Sequence, residues 1–368
     1  MSFLDRVLDE PSYGYRRENA LYVPTTSEIL REFAGRLNPF RSRKNWLSAF
    51  TWATNLALAI PLVLFVRFYF SWWLVALGFV YSMIVLGTHG TIWLHRYSTH
   101  RAYRFRNGFF RALCRNLVIK IVPEETYVVS HHVHHRLSEL PGDPYNSKAG
   151  FLYCFLADVN HQGVAKDLDE ADYERLCGLL RHTGLRLNSY ASYQKWGSVC
   201  HPATTALHYA LNWAGWYGVF FLLGGHALAL AMFGSAFVWA MGVRTFNYAG
   251  HGSGKDLRRE GTDFNTDDHA INQLWPGFVA GEWHSNHHLY PGGARAGFLR
   301  HQVDFAWYFI WSWKQLGAIA SYHDFKEDFL RDHYLPYLNR QARADVPAPQ
   351  PPTLPTDLQA EPQESAAE

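Results

Sequence analysis

"WWLVALGFVYSMIVLGTHGTIWLHRYSTH", residues 72–100, opens as an apolar run and closes on a histidine-rich hexapeptide. Residues 72–94 contain no Asp, Glu, Lys or Arg. At about 1.5 Å rise per residue such a run is long enough to cross a hydrocarbon core of about 30 Å. Three more runs, 47–66, 206–223 and 226–246, have the same character. All four lie in stretches without acid: none occurs between Glu32 and Glu124, or between Glu174 and Asp256. The short links, Arg67 to Ser71 and Leu222 to His226, fold the four runs into two hairpins. Arg36, Arg41, Arg43 and Lys44 precede the first run, and Arg96, Arg101, Arg104, Arg106, Arg111 and Arg115 follow the second. By the positive-inside rule both termini and the long middle segment face the cytoplasm. The fold class expected is therefore an all-α integral membrane protein: four transmembrane helices in two hairpins under a helical cytoplasmic cap.

The cap comprises 95–203 and 247–340, after a cytoplasmic N-terminal segment, 1–46. Within it "GFFRALCRNLVIKIV", 108–122, sets Phe109, Leu113, Leu117 and Ile121 at steps of four, which suits a helix in the membrane interface or packed on the cap. Residues 341–368 are Pro-rich and apolar-poor, the composition of a disordered tail. A net charge of +2 in 368 residues argues against a nucleic-acid partner. The four cysteines form no C-x-x-C pair, so neither a zinc ribbon nor an iron–sulfur cluster is indicated. The polar first forty residues do not resemble a signal peptide.

The histidines carry the chemistry. In "SHHVHH", His131, His134 and His135 stand at i, i+3 and i+4 on one helix face, with His132 about 100° away. "HSNHH" repeats the arrangement with His284, His287 and His288, and "NYAGH" sets Asn247 and His251 at i and i+4. "HRYSTH" places His95 and His100 five residues apart, about 140° out of phase on an α-helix. That pair either serves different metals or straddles the helix end. Imidazole is the commonest neutral metal ligand. Nine imidazoles exceed one coordination sphere, so two metals are implied. An all-nitrogen metal pair beside lipid chains suits oxygen chemistry on an alkyl group.

The chain resembles the membrane fatty acid desaturases, specifically the Δ9, stearoyl-CoA desaturase-like group. The likeness rests on "HRYSTHRAYRFRN", "HHVHHRLSELPGDPYNSKAGF", "NYAGH" and "GEWHSNHHLYPGGARAGF". It implies two iron ions held by His95, His100, His131, His134, His135, His251, His284, His287 and His288, with Asn247 reaching one iron through a water. It implies O2 as co-substrate and a cis double bond, at Δ9, introduced into a long saturated acyl chain held in a tunnel. It also implies an external one-electron donor such as ferredoxin, rubredoxin or cytochrome b5, and a bacterial inner membrane or endoplasmic reticulum membrane. No nucleotide-binding motif supplies reductant internally.

Where acyl-CoA enzymes of this kind often read W-x-x-D-H-R-x-H-H, this chain has Tyr127, Ser130 and His132. The Asp and Arg are gone, so the acyl carrier is either CoA or a lipid ester. Glu139, Asp143, Asp268 and Glu282 are the carboxylates near the histidine boxes that would orient imidazoles. Trp283 and Tyr127 are candidates to line the tunnel. Hydroxylation or acetylenation on the same scaffold is the alternative reaction. A histidine-rich metal transporter is the alternative class, but it would carry ionisable groups near mid-membrane rather than at the span ends.

Overall fold

The computed structural model describes residues 2–273 and 283–344. It is mainly helical, and three helices are long and apolar enough to cross a membrane: Arg43–Tyr69, Trp72–Thr99 and Pro202–Gly250. The third is interrupted at Gly224 (φ −161°, ψ 23°) and Gly225 (φ 66°, ψ −165°). Gly225 adopts a conformation that a side chain disfavours strongly, so this pair is where the helix direction changes. The runs 206–223 and 226–246, expected as separate spans, lie in this one helix on either side of the break.

The long helices meet through a core that includes Leu58, Leu86, Met232 and Trp239. Small residues set the approach: a Cβ on Gly234 would lie 2.8 Å from the Leu62 Cα, and one on Gly78 3.2 Å from the Ser235 Cβ. Where lipid offers no hydrophobic drive between helices, such close backbone contact is what holds them. Outward-facing Trp72, Trp73, Leu222 and Leu223 are exposed, as side chains meeting lipid are.

The helix expected over 108–122 is shorter. It spans Gly108–Arg115, begins where the Asn107 side chain accepts from the Phe109 and Phe110 N–H groups, and stops at Asn116. Beyond it several backbone groups bond to side chains of the third long helix, and the Ile119 N–H donates to the Tyr81 hydroxyl of the second. Asn212 accepts from the Lys120 N–H and donates to the Val118 carbonyl; Trp213 and Trp216 donate to the carbonyls of Lys120 and Asn116. With its backbone groups satisfied in this way, residues 116–120 need no helix. Phe109 and Leu113 face outward.

Helix Glu124–Leu137 follows, with Glu124 and Glu125 in its first turn, where carboxylates oppose the helix dipole. Glu124 is buried and accepts from Arg115 (2.7 Å) and Lys120 (2.9 Å). Glu125 is also buried; the Ser198 hydroxyl and the Val199 N–H donate to it. Burial outweighs those bonds and pushes its carboxyl up from 4.5 to about 7. The folded chain therefore holds this proton more tightly than the unfolded one, and stability from Glu125 falls as pH rises from 4.5 through about 7. Glu125→Gln is expected to flatten that part of the melting-temperature profile, measured in detergent across this window.

Strand Tyr103–Phe105, just past the second long helix, pairs antiparallel with Ile319–Tyr322 and ties the cap's two halves together. A second compact unit begins at Glu327 and is described to residue 344; it contains helix Leu335–Ala344.

Candidate metal centre

Nine imidazoles converge in two groups. Ligand-capable nitrogens of His95, His100, His131, His135 and His287 lie within 4.8 Å of one another, and those of His134, His251, His284 and His288 do likewise. The two H-x-x-H-H helices interlock to produce this. From helix Glu124–Leu137 the i and i+4 histidines enter the first group and the i+3 histidine the second. From helix His284–Leu289 the allocation is reversed: His284 and His288 join the second group, His287 the first. Each helix lends one imidazole to its partner's group, so the groups adjoin, with His135 and His288 ring centroids 4.6 Å apart.

His95 and His100 enter the same group, and the pair straddles the helix end as one of the two expectations had it: His100 is the C-cap of Gly90–Thr99. The reason is local: Gly90–Thr99 is a π-helix, and the His100 N–H donates to the His95 carbonyl at 3.1 Å. One π turn closes over five residues, so i and i+5 share a face. His132 belongs to neither group; its ring lies 6.4 Å from that of His100.

Three of the expected carboxylates meet the second group. Asp143 accepts from His134 Nδ1 at 2.8 Å, Glu139 from His251 Nδ1 at 3.2 Å and Asp268 from His288 Nδ1 at 2.6 Å. Each bond puts the proton on Nδ1 and leaves the Nε2 lone pair facing the group's centre. The fourth expected carboxylate, Glu282, lies outside the described residues. Glu139 sits at φ +60°, sparsely populated for a side chain, straight after the helix end. Its N–H donates to Asp143 (2.8 Å), which also accepts from the Tyr145 N–H, so one aspartate folds the loop and orients His134.

The electrostatics follow. Burial would raise Glu139, but His251, Lys148 and the His269 N–H hold it down at about 2. Burial lowers His288 and Asp268 raises it, leaving it at about 4. Burial works against protonating His134, yet Asp143 beside it raises it above the usual value. Burial first, and neighbouring imidazoles second, keep His100, His131, His135, His284 and His287 well below the ordinary histidine range.

These residues fit a metal. In the first group Nε2 atoms face Nε2 atoms: His95 and His287 at 2.7 Å, His287 and His135 at 2.9 Å, His135 and His131 at 3.1 Å. In the second, His134 Nε2 and His288 Nε2 are buried without a hydrogen-bond partner. Buried lone pairs pointing at one another are costly unless a cation lies among them. All donors are nitrogen, with no thiolate, a set suited to a borderline transition metal.

A cavity lies on the far side of Tyr127 and Tyr145 from the cluster; no histidine of the two groups lines it, and its wall also includes Phe155, Ala240, Val243 and Asn247. Tyr127 stacks on His131 at 5.2 Å between centroids, and the Asn247 carbonyl accepts from the His251 N–H. Trp283, the other tunnel candidate, is not in this lining. Its indole N–H donates to the Val303 carbonyl at 2.7 Å. Sequence reasoning missed Ser138, which donates to Asp268, Asn265, which does so at 2.5 Å, and Lys148, paired with Glu139. None carries a spacing signal; proximity to a carboxylate already suspected was the only clue.

Long apolar helices with two buried histidine groups that could hold metal define a membrane-associated protein whose residues suit metal chemistry. The particular family is plain: residues 70–337 match the fatty acid desaturase family, and the chain belongs to it. It is similar to the sn-1 stearoyl-lipid 9-desaturase of Synechocystis sp., 25% identical over 260 residues, covering 67% of this chain and 71% of that protein. It is similar also to Delta-9 acyl-lipid desaturase 2 of Arabidopsis thaliana, 26% identical over 264 residues, covering 68% and 74%. The sn-1 stearoyl-lipid 9-desaturase of Anabaena variabilis is 26% identical over 246 residues, covering 65% and 79%. The chain is thus an oxidoreductase of fatty acid metabolism, a desaturase.

Removing one outer carboxylate gives a direct check on the metal site. Asp268→Asn keeps the shape but weakens the hold on His288, and contacts of this kind are typically worth about 10- to 100-fold in metal affinity or activity. Metal content after dialysis against a chelator should fall accordingly, with the helical circular-dichroism signal retained.

Proposed function

We propose that the protein introduces a cis double bond, at Δ9, into a long saturated acyl chain, using O2 and a di-iron centre. The observation that carries this is the pair of interlocked imidazole groups near a cavity whose wall is apolar in part, at Val122, Phe155, Ala240 and Val243. His95, His100, His131, His135 and His287 would hold one iron, and His134, His251, His284 and His288 the other, with Asn247 reaching an iron through a water. Iron there would supply the oxidation of an unactivated methylene, which acid–base side chains do not achieve. The chain's own residues confine the substrate: Tyr127, Phe155, Ala240 and Val243 exclude water and orient one stretch of alkyl chain beside the histidines.

The substrate is read as an acyl group on CoA or a lipid ester, the latter favoured by the acyl-lipid names of the similar enzymes. Reductant comes one electron at a time from ferredoxin, rubredoxin or cytochrome b5. Four spans, formed by the break at Gly224 and Gly225, put both termini on the cytoplasmic side, in keeping with the arginines after residue 95. On this reading residues 1–46 precede a membrane domain of 47–340, and 341–368 form a tail.

Mass spectrometry of total fatty acids from cells expressing the chain tests the proposal, with dimethyl disulfide adducts locating the bond. A new Δ9 monoene is expected. A hydroxylated product would keep the site and replace the reaction.

A further inference from the structure

The same cavity has a polar wall that neither the metal groups nor an alkyl chain requires. Arg244, near the end of the helix Pro202–Gly250, forms a 2.6 Å ion pair with Asp158, and both side chains are largely buried. The guanidinium lies 4.4 Å from the centroid of the Trp52 ring, which fixes its plane. Asn55, one helical turn beyond Trp52, is 1% exposed. All but Trp52 line the cavity that contains Tyr127 and Asn247.

Three polar atoms there are buried with no hydrogen-bond partner, Arg244 Nε, Asn55 Oδ1 and Asp158 Oδ1; the last is engaged by the ion pair with Arg244, which leaves Arg244 Nε and Asn55 Oδ1 unspent. An ionisable pair at the end of a membrane helix is costly, and an unused donor on it costs more. The arrangement leaves an N–H donor with charge behind it, and a carboxamide that both donates and accepts, in a chamber whose wall also carries Phe155, Ala240 and Val243. A saturated alkyl chain satisfies neither. A carbonyl oxygen accepts from the Arg244 Nε–H and from the Asn55 amide N–H, though it leaves Asn55 Oδ1 as it is, and a fatty acyl ester or thioester carries one at the head of its chain.

We infer that Arg244, held by Asp158 and aided by Asn55, receives the acyl carbonyl and so determines which methylene reaches the histidines. The inference rests on the desaturase reading for its consequence, but the binding itself does not need turnover. Seven residues separate Arg244 from His251, about 10 Å along a helix axis. That is comparable with the first half of a long acyl chain, so the carbonyl contact works as a ruler for bond position. Arg244 is a specificity-determining residue on this account and Asp158 a positioning one.

The test compares two probes on the full-length, iron-loaded protein in detergent: methyl stearate, and octadecyl methyl ether, which lacks the carbonyl. Each displaces a pyrene-labelled fatty methyl ester, and the ratio of their affinities is read. The unaltered protein is expected to prefer the ester by about 10- to 100-fold, the value of a charge-assisted hydrogen bond. Arg244→Met should bring that ratio close to one, and Arg244→Lys should restore part of it. Where turnover is measured, Arg244→Met should also scatter the double bond over neighbouring positions.

An ester preference equal in the unaltered protein and Arg244→Met, or absent from both, overturns the inference and leaves the ion pair as a strut. If Arg244→Met does not fold, Asn55→Leu and Asp158→Asn are read for the same ratio, and no change in either is the overturning result. If the ester preference stands but no unsaturated product forms in any assay, the desaturase reading falls and this contact survives.

Discussion

Replacing His135 by alanine is expected to abolish desaturation and to lower bound iron. Its Nε2 lies 3.1 Å from His131 Nε2 and 2.9 Å from His287 Nε2, so it faces the middle of the five-nitrogen group. Its ring also borders His288 of the other group at 4.6 Å. An outer carboxylate is worth about 10- to 100-fold, and a residue whose nitrogen would meet the metal directly should cost more than that. The loss should thus exceed 100-fold in monoene per mole of enzyme. Iron per chain, measured by inductively coupled plasma mass spectrometry, should fall with it. Full activity with unchanged iron would remove His135 from the ligand set, and with it the allocation of five and four.

The second large effect is on stability. Arg96, next to His95, is buried and donates to both Asp304 oxygens at 3.0 and 2.9 Å and to the Ala294 carbonyl at 2.6 Å. Asp304 also accepts from the N–H groups of Ala296, Gly297 and Trp307. This one aspartate caps helix Phe305–Gln315, folds the loop before it and neutralises a guanidinium at the end of the second long helix. Asp304→Ala leaves that charge buried and unpaired, a change that costs about 3–5 kcal/mol. The unfolding midpoint in detergent should drop sharply. Arg96→Met combined with Asp304→Leu should recover the part of the loss due to the uncompensated charge, while the Ala296, Gly297 and Trp307 N–H groups stay without their acceptor. A drop in Asp304→Ala no larger than that of an exposed pair such as Arg181–Glu174 would show that the contact carries little.

Much of this protein was legible as a sequence because its strongest signals are compositional or spaced by one helix turn. Lipid tolerates long apolar runs and few acids, so the long helices announce themselves. Histidines at i, i+3 and i+4 share a face wherever an α-helix forms, so "HHVHH" and "HSNHH" were readable as convergent sets. The carboxylates Glu139, Asp143 and Asp268 were within reach of suspicion because they follow or precede those boxes closely.

Tertiary structure decided the rest. Which histidine joins which group depends on how two helices distant in sequence cross, and they cross so that each lends one imidazole to the other. The pairing of His95 with His100 depends on a π-helix, whose hydrogen-bond register has no signature in residue spacing. The Trp283 indole N–H bonds to the Val303 carbonyl, and residues 116–120 abandoned a periodic pattern for the side chains of Asn212, Trp213 and Trp216. Arg244 and Asp158 carry no spacing signal; only packing brought them together in the wall of one cavity. Local spacing is sufficient where one helix presents its own face, and it fails wherever two elements must meet before a group finds its partner.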